Sequence, residues 1–311
     1  MKVFDLHCDV LTKLYSDTTI HFQDGKRLDV TYDRMKGADN YIQCFAIYLP
    51  ERISRPDVRH WLHYIQVFHE KILSFPDLVQ IRSKTDLIHC VHHGKLGAIL
   101  TIEGMDALGG QLELVRAFYE LGVRCAGITW NYGNWAADGI LEPRGGGLTR
   151  KGKQFVELCN ELGIVIDVSH LSVKGFWDVC EVSDQPFIAS HSNVKSVCGH
   201  PRNLSDDQIK EIIRRNGRIG LNFVPFFISR KQASMHDLLH HIDYICALGG
   251  SRVIGFGSDF DGIEEWTYGL EHAGKYQDWA ELLTHHYGSS LAEQWLWRSM
   301  YDFFLQHLPD E

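Results

Sequence analysis

The sequence predicts an α/β protein: a (β/α)8 TIM barrel forming one domain over residues 1–311. Three observations predict it. Eight short apolar runs punctuate the chain, and most are nearly unbroken, as parallel strands covered on both faces are. Longer stretches with helical spacing lie between them. His, Asp and Glu collect just after the runs, and barrels of this kind keep their active sites at the C-terminal ends of the strands.

In order, the runs are "VFDL" (3–6), "QCFAIYL" (43–49), "GAILTI" (97–102), "RCAGITW" (124–130), "IVIDVS" (164–169), "PFIAS" (186–190), "RIGLNFV" (218–224) and "RVIGFGS" (252–258). Helices are expected at 55–74, 149–162, 205–215 and 234–248. The second starts on a Thr149 cap and stops before Gly163. The third has Ser205 and Gln208 at capping-box spacing. The fourth ends at Gly249-Gly250. The alternative architecture is an open doubly wound sheet, but no G-x-G-x-x-G follows a strand, so nothing supports a dinucleotide site. The aromatic-rich stretch 264–288 is expected to pack rather than to cover the barrel mouth.

The formal net charge of −9 argues against nucleic acid or an anionic membrane as a partner. No apolar run is long enough to cross a bilayer. The N-terminus lacks a basic region followed by an apolar core, and the C-terminus "FFLQHLPDE" offers no anchor signal, so the expected location is cytoplasmic. The eight cysteines are scattered, none in C-x-x-C, and are expected to be buried free thiols in a reducing compartment. Cys8 lies between His7 and Asp9 and is expected to face away from both and pack.

The chemistry sits after the strands. The first gives His7 and Asp9, which period-two alternation puts on one face. The third gives Glu103, the fifth His170, the sixth His191, and the eighth Asp259 and Asp261. Singly, each has a plainer explanation: a hydrogen-bonded structural histidine, or an Asp that caps a helix. Asp261-Gly262 reads as turn chemistry, and Asp106 as a cap or turn after Glu103. Jointly they do not, because caps have no reason to recur at one end of five strands. Burying several acids without a cation is costly. Mixed His and carboxylate ligands suit zinc or a similar ion. Six ligands exceed one tetrahedral ion and fit two that share a carboxylate, a pair able to polarise a carbonyl and supply hydroxide near neutral pH.

The stretches "DLHCD", "TIEGMDAL", "GLTRKGKQFVELCNELGIVIDVSHLS", "IASHSNVKSVCGHPRNLSDDQI", "GRIGLNFVPFF" and "IGFGSDFDGI" together resemble the membrane dipeptidase (renal dipeptidase) family of zinc peptidases, a branch of the metal-dependent amidohydrolase-type barrels. The resemblance runs from residue 5 to about residue 262. It implies a binuclear zinc centre, other divalent ions being alternatives. In it, His7 and Asp9 hold one zinc, Glu103 bridges, and His170 and His191 hold the other. Asp259 sits by the first zinc and handles the proton of the attacking water. Arg202 of "HPRN" binds the substrate carboxylate, for which an Arg fork is suited. The resemblance further implies dipeptide hydrolysis, tolerance of a D-residue at the second position, and a homodimer.

One departure stands out. Many members have a His after the fourth strand, and here Trp130 of "ITWNYGNW" takes that place. An indole donates one hydrogen bond and cannot titrate. Losing one donor to a developing oxyanion typically costs about 10²–10³-fold in rate. Asn131 and Tyr132 are candidate substitutes at the substrate, and His200 either lines the site or is structural. Two other functions remain open on these residues: the same centre acting on another amide, a lactone or an ester, and a metal-binding barrel without catalysis.

Overall fold

Apolar runs become strands because neighbouring helices bury both their faces. The computed structural model describes residues 1–311. Its strands are β1 (Lys2–Cys8), β2 (Asn40–Tyr48), β3 (Leu78–Gln80), β4 (Leu96–Glu103), β5 (Val123–Gly127), β6 (Val165–Asp167), β7 (Ile188–Ala189), β8 (Arg218–Leu221) and β9 (Ile254–Phe256). They are parallel, and the order β1-β2-β4-β5-β6-β7-β8-β9 returns to β1, closing a (β/α)8 barrel of eight strands. Each expected run supplies one barrel strand.

The ninth strand, β3, was not expected. It is three residues long, too short to carry a period. It lies outside the barrel, pairing with Leu96–Ala98 of β4, whose later residues Leu100–Glu103 pair with β5. Several barrel strands stop short of their apolar runs. Residues 128–130, 168–169 and 222–224 have left the ladder and bend into the rim.

Helix starts follow their caps. Thr149 caps Arg150–Leu162, and Gly163 ends it at φ 74°. Ser205 and Gln208 form the expected capping box. Met235–Ala247 starts on a Ser234/Asp237 box. The first expected helix is shorter, Val58–Val67, followed by a π-helical turn at Phe68–Ile72. Pro56 keeps Arg55 out of the helix, and Asp57 is the cap, accepting from Arg59 N at 2.9 Å.

The end of the barrel opposite the rim is plugged. A buried cluster joins Leu6, Cys44, Ile99, Cys125, Val165 and Ile188 to Met300, Phe303 and Phe304 of the C-terminal helix Ser299–His307. Arg218, at the start of β8, donates from Nε to Ser299 O at 2.7 Å and seats that helix. In the stretch 264–288, Tyr276, Trp279 and Leu283 are fully packed, while Trp266 and Tyr268 stay exposed at the rim. All eight cysteines are free and six are buried, Cys8 among them.

Two glycines permit the strands to close. A Cβ on Gly220 would lie 1.9 Å from Ser190 O, and one on Gly257 1.8 Å from the same oxygen. Both clashes are with backbone, so no rotamer relieves them. Gly220→Ala is therefore expected to lose about 2–4 kcal/mol in urea unfolding, an overpacking cost at the upper end of the usual range; a midpoint like that of the parent would show that the strands are not so closely apposed.

Candidate metal centre

The expected residues meet. His7, at the end of β1, directs Nε2 to Asp9 Oδ2 at 3.4 Å, Glu103 Oε2 at 3.7 Å and Asp259 Oδ1 at 3.8 Å. On the other side, Glu103 Oε1 lies 2.9 Å from His170 Nε2 and 3.4 Å from His191 Nε2. Glu103 thus turns one oxygen to each group. His7, Asp9, Glu103, His170 and His191 are all at most 7% exposed.

Hydrogen bonds behind the imidazoles fix their protons. His170 Nδ1 is 2.8 Å from Asn131 Oδ1, an oxygen that only accepts, so Nδ1 carries the hydrogen. His191 Nδ1 is 2.6 Å from Ser190 Oγ. That hydroxyl donates to Asp167 Oδ2 at 2.5 Å, so it must accept from His191. Both Nε2 atoms are therefore bare, yet they lie 2.8 Å apart and beside a carboxylate oxygen. Three acceptors aimed at one point need a cation there. Near Glu103 Oε2, His7 Nε2 and Asp9 Oδ1 are buried without a hydrogen-bond partner. This donor set fits divalent metal ions on both sides of Glu103.

The electrostatics agree. Burial, then Arg202 and His7, keeps His170 neutral, far below the usual imidazole range; His191 is lowered by burial, His7, His170 and Arg202. Burial, with Asp9 and Asp259 nearby, pushes the Glu103 carboxyl up to about 8. Burial opposes charge on His7, but Glu103, Asp9 and Asp259 outweigh it and hold its imidazole up at about 10. Without metal, the site must hold protons where it is built to hold cations.

The backbone aims these groups. His170 and Asp259 sit at φ 66° and 65°, a left-handed conformation that costs about 1–3 kcal/mol and clusters at functional sites. Asp259 Oδ2 accepts from Asn222 Nδ2 at 2.9 Å, leaving Oδ1 toward His7. A Cβ on Gly262 would come within 2.2 Å of Asp9 Oδ2, so glycine leaves room for the carboxylates.

Arg202 is 5% exposed, with Nη2 3.3 Å from His191 O and Nε unpartnered. Burial draws it down to about 10, against the pull of Asp259, Glu103 and Asp167. Trp130 packs beside His170, centroids 6.0 Å apart, and beside Tyr48 at 5.3 Å. Asn131 faces His170 through its side-chain oxygen, and Tyr132 is exposed on the rim. His200 accepts from Arg202 N at 3.2 Å and packs on Phe227, a supporting place. Asp261 is structural: it accepts from Asp29 N, Val30 N and Lys13 Nζ. Asp106 opens a 3-10 turn and accepts from Asn134 Nδ2 at 3.3 Å.

Four supporting residues escaped sequence reasoning. Asp5 Oδ1 accepts from His7 N at 3.2 Å and Ser258 N at 2.9 Å, tying the ends of β1 and β9 together. Asp167, Ser190 and Asn222 brace His191 and Asp259. The signal for Asp5 and Asp167 was a single acid inside an apolar run, "VFDL" and "IVID". Ser190→Ala, which removes the brace on His191 Nδ1, is expected to weaken divalent-metal binding about 10–100-fold in competition with a chromophoric chelator; unchanged affinity would remove the Asp167–Ser190–His191 chain from the account.

Comparison with known proteins assigns the family. Residues 1–301 match the membrane dipeptidase family, peptidase family M19. The dipeptidase aclJ of Aspergillus oryzae is 34% identical over 246 residues, which are 76% of this chain and 58% of that protein. The chain thus spans little more than half of that relative's length. An uncharacterised protein of Acinetobacter calcoaceticus is 36% identical over 280 residues, 79% of this chain and 89% of that one. Among solved structures, the metallopeptidase named dipeptidase AC superposes with TM-score 0.91 at 26% identity, covering 100% of this chain and 99% of that one. A metallopeptidase from Rhodobacter sphaeroides, liganded with a phosphinate mimic of the dipeptide L-Ala-D-Ala, superposes with TM-score 0.86 at 25% identity over 99% of both chains. The barrel, the paired ligand groups at its rim and these matches lead to one conclusion: the chain belongs to the membrane dipeptidase family of metal-dependent peptidases, family M19.

Proposed function

We propose that this chain is a binuclear zinc dipeptidase. The observation that carries the reading is the pair of acceptor groups on the two oxygens of Glu103. His7, Asp9 and Glu103 would hold one ion, with Asp259 beside it; Glu103, His170 and His191 would hold the other. Two ions there supply Lewis-acid polarisation of a carbonyl and a water ionised near neutral pH.

The chain's own groups do the rest. Arg202 is a buried guanidinium with an unused Nε–H, and it docks the substrate carboxylate. As water adds to the scissile carbonyl, Asp259 Oδ1 takes its proton and returns it to the leaving amine, base and then acid. Asn222 holds the other oxygen of Asp259, so the proton is handled at one atom. Trp130 stands at the edge of the centre, where its indole N–H is the donor nearest in role to the family's histidine. A centre that requires both a free amine and a carboxylate one residue beyond the scissile bond would limit its substrates to dipeptides. The Rhodobacter relative's L-Ala-D-Ala mimic supports tolerance of a D-residue at the second position here. The eight unpaired cysteines favour a reducing, cytoplasmic compartment; the homodimer is carried over from the family resemblance alone.

Trp130 also favours a second reading, in which the same centre acts on another amide, a lactone or an ester. A panel of L,L and L,D dipeptides, N-acyl amino acids and lactones separates the two. The dipeptides should be cleaved, with activity lost on chelation and restored by zinc. Turnover confined to the other substrates would establish the second reading. Arg202→Ala should lower kcat/KM for dipeptides at least about thirtyfold, the equivalent of about 2 kcal/mol for a truncated buried charge pair, with metal content retained. Unchanged turnover would overturn the docking role.

A further inference from the structure

A cleft of about 250 Å³ opens beside the metal centre. Leu49, Pro50 and Ile53, from the loop after β2, form one wall, and Trp130 and Tyr132, after β5, form the other. Trp130 is shared with the centre, since its ring also packs beside His170. The loop that carries these aromatics is pinned rather than slack. Gly139 N donates to Tyr132 O at 3.0 Å, and Leu141 N to Asn131 O at 2.8 Å.

The charges lining the cleft are Glu51 and Asp106. Of the arginines in the flanking loops, Arg144 pairs with Asp138 and Arg52 bonds Ser16 Oγ, while Arg55, exposed next to Pro56, is not among the charges acting on Glu51 or Asp106. Glu51, though exposed, is raised by partial desolvation against the cleft wall and then by Asp106, and Asp106 is raised by its own burial, with no cation among the groups acting on either. Aromatic faces joined to two unmatched carboxylates suit a long cationic side chain, whose stem packs on the rings while its head meets the acids.

Ring order fixes which end of the substrate reaches it. In the barrel sequence β1-β2-β4-β5-β6-β7-β8-β9, β7 stands opposite β2. Arg202 follows β7, and Leu49–Ile53 follows β2. With the substrate carboxylate on Arg202, the N-terminal residue lies on the side of the cleft. We propose that this cleft receives the side chain of the N-terminal residue, and that Glu51 and Asp106 make it select lysine or arginine. This rests on the dipeptidase reading and goes beyond it by naming the substrate class.

The test compares Lys-Ala, Arg-Ala, norleucine-Ala and Glu-Ala, in the stereochemistry the enzyme cleaves. Norleucine matches lysine in length and lacks its charge. Lys-Ala should exceed norleucine-Ala at least about tenfold in kcat/KM, an ordinary worth for a partly desolvated charge contact. Glu51→Gln and Asp106→Asn should each shrink that ratio, and Glu51→Lys should move preference toward Glu-Ala. Glu51 is exposed on its loop, so its variants decide the matter even where an Asp106 variant fails to fold. Norleucine-Ala cleaved as well as Lys-Ala by the parent enzyme, or a ratio that survives Glu51→Gln and the double variant, would overturn the subsite while leaving the dipeptidase reading intact. No hydrolysis of any dipeptide would overturn both.

Discussion

The structure depends on Glu103. It is buried, and it gives one oxygen to two bare imidazole nitrogens and turns the other to His7, whose Nε2 in turn faces Asp9 and Asp259. Protons serve this cluster poorly, because His170 and His191 have committed their Nδ1 hydrogens to Asn131 and to Ser190 and turn bare Nε2 atoms to a carboxylate oxygen. Divalent cations suit both sides. The surrounding features serve to hold this acceptor pair in place.

That service explains costs that would otherwise be hard to place. His170 and Asp259 accept left-handed backbone. Asp5 is fully buried, its carboxyl raised by burial against the bonds from Ser258, His7 and Tyr276. In return it ties His7 to Ser258, just before Asp259. Asp167 does the same for His191, accepting from the backbone of Ser169 and Ser190 and from the Ser190 hydroxyl. A (β/α)8 barrel suits such a centre because it brings strand ends far apart in sequence to one rim. The C-terminal helix closes the opposite end and leaves the rim free for chemistry.

Much of this was legible in the sequence. Eight apolar runs named the eight barrel strands, and the residues after them named the six groups that converge. Helix starts were legible where a side chain marks them, as at Thr149 and Ser205. Strand β3 was not, because three residues carry no period. The end of the first helix was not, because nothing local marks a π-turn. Supporting residues were harder than ligands. Asn131 was expected at the substrate, and its oxygen meets His170; Asn222 sits in the run "RIGLNFV" with no local mark. Their roles come from partners 39 and 37 residues away along the chain, which only the closed barrel brings near. The cleft beside Trp130 was hidden for the same reason, since its walls come from loops after β2 and β5.

The central claim is that two cations flank Glu103. The most direct measurement is anomalous diffraction at the zinc edge from crystals of the protein grown with zinc. The account predicts two peaks, one beside His7 and Asp9 and one beside His170 and His191, with Glu103 between them. A single peak, or zinc bound away from these residues, would contradict it.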